Sequence, residues 1–147
     1  MSDQQPIPII LCGRTEKLAS VVIPALAPEI EVIHFIQTTP SAITQIPAIL
    51  RGDPTVPSDT DFGSKNYTWG ASAIVLGAGY TDEDIEAMRA ASVGEGFKGV
   101  AWLKSDLTKP TPPLGPEYAR NAVERVKAAV AKIKEKAGLE GDGVFLY

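Results

Sequence analysis

The sequence predicts a single α/β domain of three layers, with a mostly parallel sheet of about five strands held between helices. Three observations predict it. Short apolar runs alternate with segments of helical spacing along the whole chain. The apolar runs lack the in–out alternation of a half-exposed sheet, so both faces of the strands are expected to be covered. A length of 147 residues with no internal repeat is the size of one domain with a proper core.

The elements follow in order. Ile7 to Leu11 is an apolar strand. Leu18, Val21, Val22 and Ala25 then recur at helical spacing, and Pro24 sets the expected end of that helix near Ile23. Glu31 to Ile36 is the second strand. Thr39 and Pro40 supply a capping hydroxyl and a first-turn proline for the second helix. Its inner face is expected to hold Ile43, Ile46, Ile49 and Leu50, with Pro47 as a kink or stop. Residues 51–72, rich in Gly, Pro, Ser, Thr and Asp, form a loop-rich insert. Its aromatics Phe62, Tyr67 and Trp69 favour packing or self-association over a lid, because the insert leaves the amino edge of the sheet.

Ala73 to Leu76 is the third strand. It runs through Gly77-Ala78-Gly79 into Thr81-Asp82-Glu83-Asp84, a hydroxyl cap with acids in the first turn. Ile85, Met88 and Ser92 share the inner face of the helix that follows. Val100 to Leu103 is the fourth strand, and Lys104 to Pro116 a proline-rich loop. Pro116 opens the longest helix, with Ala119, Ala122, Val123, Val126, Val130, Ile133 and Ala137 inward and Gly138 as its stop. Val144 to Tyr147 is a last strand. Right-handed crossovers make such an alternation parallel.

Composition excludes several functions. A net charge of −4 argues against nucleic-acid binding, which needs clustered Lys and Arg. No apolar run approaches the ~20 residues that cross a bilayer, and the start MSDQQP is polar, so no membrane partner and a cytoplasmic location are expected. One cysteine and one histidine leave no internal disulfide and no multi-cysteine or paired-histidine metal motif. Asp53, Asp59 and Asp61 do not have calcium-loop spacing and read as a solvated loop. The last helix carries more cations than acids and reads as a solvated outer face, with docking of an acidic partner as the alternative.

In open α/β sheets ligands sit beyond the carboxyl ends of the strands. Gly13, Arg14 and Thr15 occupy that position after the first strand, where exposed helix amides attract anions and Arg14 and Lys17 add charge. The third helix instead begins with three acids, which would repel a phosphate. A small anionic or nucleotide-like ligand is therefore expected at Gly13, Arg14, Thr15 and Lys17, with Gly77 and Gly79 nearby. The plainer alternative is a tight turn at Gly13 and a solvated Arg14. Lys104, Asp106 and Lys109 lie on the same edge, with the proline-rich segment as a rim or a stiff connection.

The alternation of strands one to four resembles the NAD(P)-binding Rossmann-like superfamily, by topology rather than by motif. The resemblance implies a nucleotide-binding carboxyl edge, with NAD(P) as the cofactor to consider. Where that superfamily has three glycines after the first strand, only Gly13 stands here, and the second strand ends Phe35-Ile36-Gln37-Thr38 without an acid. A degenerate dinucleotide site is what this implies. Residues 94–99, GEGFKG, match the glycine fingerprint in letters, but they follow a helix and precede a strand, so they read as a turn.

Catalytic signatures are few. No tyrosine is followed by a lysine four residues on, Cys12 is not followed by the arginine of a phosphatase loop, and Leu76-Gly77 stands where a receiver domain has its aspartate. Cys12, His34 and Lys104 remain as candidate catalytic residues. Cys12 at a helix start beside cations reads either as a reactive thiol or as an apolar filler. His34 within a strand reads as a packed residue or a catalyst, and a contact with Cys12 is conceivable. Three functions follow: a small-molecule-binding protein, a small cysteine-dependent enzyme, or a non-catalytic homo-oligomer pairing through the insert and the last strand, with a homodimer expected.

Overall fold

A computed structural model describes residues 6–53, 55–92, 97, 99–113, 115–136 and 143–147. Its elements run β1 (Ile7–Cys12), α1 (Glu16–Leu26), β2 (Ile30–Ile36), α2 (Thr39–Leu50), β3 (Ala73–Leu76), α3 (Asp82–Ser92), β4 (Ala101–Lys104), α4 (Pro116–Lys136) and β5 (Val144–Leu146). The five strands form one sheet in the order β2-β1-β3-β4-β5. Every neighbouring pair is parallel. The alternation read from the sequence is the observed one, and the strand order reverses between β1 and β3.

Two cores flank the sheet. On one face Ala19, Val22 and Leu26 of α1 and Ala119, Val123, Val126, Val130 and Ile133 of α4 pack on Ile9, Leu11, Val75 and Leu103. On the other, Ala42, Ile46 and Ile49 of α2 and Ile85 and Met88 of α3 pack on Ile10, Ile36, Ile74 and Trp102. Alternate strand residues thus face opposite helix layers, and each face is dry. This is why the strand sequences are apolar throughout.

Several boundaries differ from expectation. α1 continues through Pro24 to Leu26. A proline so close to the helix end removes one hydrogen bond, to the Ser20 carbonyl, on a solvent-exposed side of the helix. The extra turn brings Leu26 inward, so the buried stripe is Ala19, Val22 and Leu26, and Val21 faces solvent. Pro47 likewise sits inside α2 without ending it. The cap of α2 is Thr38, one residue earlier than expected, its hydroxyl accepting from Ser41 N at 3.2 Å. Ile43 is exposed rather than inward. The α3 cap is as read: Thr81 Oγ1 accepts from Asp84 N at 3.0 Å and Asp84 Oδ2 accepts from Thr81 N at 2.9 Å. The stop of α4 at Gly138, with Ala137, and most of GEGFKG lie outside the described residues.

The insert closes one edge of the sheet. Ser64 N and Lys65 N donate to the carbonyls of Val32 and Ile33 at 2.8 and 2.9 Å, so the outer side of β2 is partly paired. The register between β1 and β2 slips here, Ile9 facing Val32 and Ile10 facing His34. Such a bulge is rare in a parallel pair and re-aims a side chain. His34 turns into the protein, where Nδ1 accepts from the Tyr67 hydroxyl and Nε2 donates to Gln45 Oε1, each at 2.7 Å. Gln45 Nε2 in turn donates to Asp59 at 3.3 Å. Phe62 packs edge-on against Phe35 with ring centres 5.9 Å apart. Phe62 and Tyr67 therefore pack, as expected of the insert, whereas Trp69 stays 68% exposed.

Candidate functional site

Cys12 and Leu76 are register partners at the ends of β1 and β3, so the loops that follow them share one rim. That rim is the carboxyl edge, at the point where strand order reverses. Arg14, from the loop after β1, reaches across it. Its Nε donates to Gly79 O at 3.1 Å, Nη1 to Gln37 O at 3.4 Å, and Nη2 to Asp84 Oδ2 at 3.3 Å. The guanidinium also lies 4.0 Å from the centre of the Tyr80 ring. Arg14 is thus a brace between three loops. A Cβ on Gly79 would stand 2.6 Å from Arg14 Cγ, so glycine there makes room for the arginine.

Gly13, Thr15 and Lys17 of the expected anion site stay together at the start of α1, each in its own role. Thr15 caps α1, its hydroxyl accepting from Leu18 N at 3.3 Å. Lys17, the second residue of α1, is exposed. Gly13 N donates to Ile36 O at 2.9 Å, extending the sheet. Two tyrosines close the rim further: Tyr80 OH donates to Ile36 O at 3.4 Å and Tyr147 OH to Leu76 O at 2.7 Å. Burial, above all, raises the pKa of both phenols, so both remain protonated donors.

Open space lies beside this brace. A cleft of about 240 Å³ runs between the loops after β3 and β4, lined by Gly77, Ala78, Tyr80, Lys104, Ser105 and Thr108 among others, with the acids Asp82 and Asp106 also on its wall. Lys104 Nζ pairs with the exposed Asp82 at 2.5 Å. Asp106 folds the rim, its carboxylate accepting from Thr108 N and Oγ1 at 3.0 and 2.6 Å. Those bonds, ahead of all else, hold its pKa below the ordinary carboxylate range. The proline-rich segment is tied back where Arg125 Nη2 donates to Pro110 O at 2.5 Å. Of the residues expected at a ligand or on this edge, Gly77, Lys104 and Asp106 line this cleft. Ser105, Thr108 and Tyr80 were not expected, and only their following a strand end points to them in the sequence.

The catalytic candidates do not converge. Cys12 is wholly buried among Ile10, Ile36, Leu76 and Tyr80. Burial pushes its thiol up to about 12, with Arg14 pulling weakly the other way. His34 is occupied by Tyr67 and Gln45 rather than by Cys12, and burial holds it neutral by lowering its affinity for a proton. Lys104 sits at the end of β4 on the cleft. No cluster of three or more His, Cys, Asp or Glu side chains arranged for a metal occurs among the described residues. No helix among them is long and apolar enough to cross a membrane.

The fold and this rim define a doubly wound α/β protein with a small cleft at its carboxyl edge. No protein-family model matches the chain, and no solved structure matches it. In sequence it is 40% identical over 142 residues to Kojic acid related protein 6 of Aspergillus oryzae, a match covering 94% of this chain and 84% of the relative. The chain belongs to the family of that protein.

Proposed function

We propose that this protein binds a small metabolite carrying an anionic group, seated in the cleft between the loops after β3 and β4. The observation that supports the reading most is Lys104 at the end of an interior strand, on the cleft wall with Ala78, Ser105 and Thr108, where it offsets the acids Asp82 and Asp106. Its partner Asp82 is exposed and easily displaced by a ligand anion. At about 240 Å³ the cleft is below the usual range for drug-sized ligands. It therefore favours a compact ligand over NAD(P) and fits a degenerate dinucleotide site. The relative's name refers to kojic acid, which agrees with a small-molecule setting without naming a substrate.

The test is a thermal-shift screen of nucleotides, dinucleotides and small phosphorylated or carboxylated metabolites. A stabilising compound whose effect disappears in Lys104→Ala supports the reading. Stabilisation by dinucleotides alone, unchanged in that variant, removes it.

A second reading, a homodimer through the last strand, is favoured by one observation. β5 ends the sheet, and Val144, Leu146 and the neighbouring Leu107 are exposed, the last at 76%. Light scattering at high concentration tests it, and a monomer removes it.

A further inference from the structure

We propose that a second ligand site, for a neutral sugar or similar polyhydroxylated ring, lies at the amino edge of the sheet with Trp69 as its stacking platform. A groove of about 390 Å³ opens there, lined by Pro6, Pro8, Glu31, Asn66, Trp69 and Ser72. It is larger than the carboxyl-edge cleft, lies at the opposite end of the strands, and is independent of the reading above.

Trp69 is held in the open rather than left loose. On one side Tyr67 is anchored through its hydroxyl to His34 at 2.7 Å. On the other Ala71 is buried, and Ser72 N donates to Pro8 O at 2.7 Å. Between them Gly70, with φ of +69°, closes a turn by donating to Tyr67 O at 3.1 Å. Both flanks are fixed, yet the indole remains 68% exposed. A large aromatic presented this way on a fixed loop marks a binding surface.

The polar lining decides the class of ligand. Glu31 has one carboxylate oxygen fixed by Ser64 Oγ at 2.5 Å, leaving the other oriented as an acceptor. Asn66 holds its loop by accepting from Thr68 N at 3.3 Å through Oδ1, and that bond does not use its amide donors. Ser72 adds a hydroxyl. An aromatic face beside a carboxylate, an amide and a hydroxyl matches a ring with apolar C–H faces and hydroxyl edges. Among the described residues the lining has no Lys or Arg, so an anion meets Glu31 there and is repelled. One aromatic is too few for a proline-rich peptide, which docks between several.

The experiment is titration of tryptophan emission with methyl glucoside, cellobiose, glucuronate and a polyproline peptide. Trp102 is wholly buried and supplies a constant background, so Trp69 is the reporter. A saturable change with a neutral sugar below about 50 mM is expected. Binding read by calorimetry should be lost in Trp69→Ala and retained in part in Trp69→Phe, and the emission change should need about tenfold more sugar in Glu31→Gln. Glucuronate should bind at least about tenfold more weakly than the neutral glucoside. Absence of any saturable signal with the neutral sugars, a response to polyproline instead, or equal binding of glucuronate overturns the proposal.

Discussion

Arg14 Nε donates to Gly79 O at 3.1 Å, joining the loop after β1 to the loop after β3 across the point where strand order reverses. The crevice that doubly wound proteins commonly use for ligands is here spanned by the protein's own arginine, which has Asp84, Gln37 O and the Tyr80 ring as further partners. Replacing Arg14 with alanine should therefore act on stability. Its bonds are partly solvated, so a loss of about 1 kcal/mol is expected in urea denaturation. Arg14→Lys should recover little, because a point charge cannot reach three acceptors at once. Any ligand-induced thermal shift should survive Arg14→Ala; its disappearance would return the anion site to the loop after β1.

His34 makes stability depend on pH. Its proton affinity is lowered in the folded state by burial, from the ordinary imidazole value of about 6.5. Below that pH the unfolded chain takes up a proton that the folded protein resists. The contribution is thus fully present above about pH 6.5 and is lost as pH falls from there toward the folded value. Denaturation midpoints should drop between neutral pH and pH 5. The chain has one histidine, so a His34→Gln variant should show a flat profile over that window. The carboxylates with lowered values, Asp53, Asp84 and Asp106, act only at more acid pH.

Tyr67 and His34 tie the insert to the sheet, and deletions of the two should differ in size. Tyr67→Phe removes one bond and should cost about 1 kcal/mol. His34→Ala opens a cavity and strands Gln45 Oε1, for about 2–4 kcal/mol by chemical denaturation.

Gly63 has φ of +93°, and a Cβ there would lie 3.0 Å from the backbone of His34. Gly52 has φ of +86° with open space around it. Gly52→Ala should cost about 1 kcal/mol from backbone strain alone. Gly63→Ala should cost about 3 kcal/mol, because the insert must also lift from β2. Equal losses in thermal unfolding would show that the insert does not press on the strand.

Cys12 should react with thiol reagents only as fast as the protein unfolds, since its thiol is buried and pushed up to about 12. Rapid alkylation of the native protein would restore the cysteine-enzyme reading.

The sequence displays the layers of this fold because each strand is buried on both faces and reads as an unbroken apolar run. Thr81 and its acids could be read as a cap because that bonding is local. Pro24 and Pro47 misled because a proline near a helix end loses few bonds, and this depends on where the helix stops. The brace at Arg14 was not legible. Its acceptors Gln37, Gly79 and Asp84 are far apart in sequence, and the same charge in the same place serves equally to hold an anion or to hold a loop. The bulge that turns His34 toward Gln45 was likewise invisible, because register is a property of the pair of strands and the covering insert.

The most direct test is to map backbone amide shifts while titrating a stabilising anionic metabolite. The account predicts perturbation at Gly77, Ala78 and Lys104 through Thr108, with Arg14 to Leu18 unmoved. Perturbation centred on Gly13 to Leu18, with Lys104 silent, would contradict it.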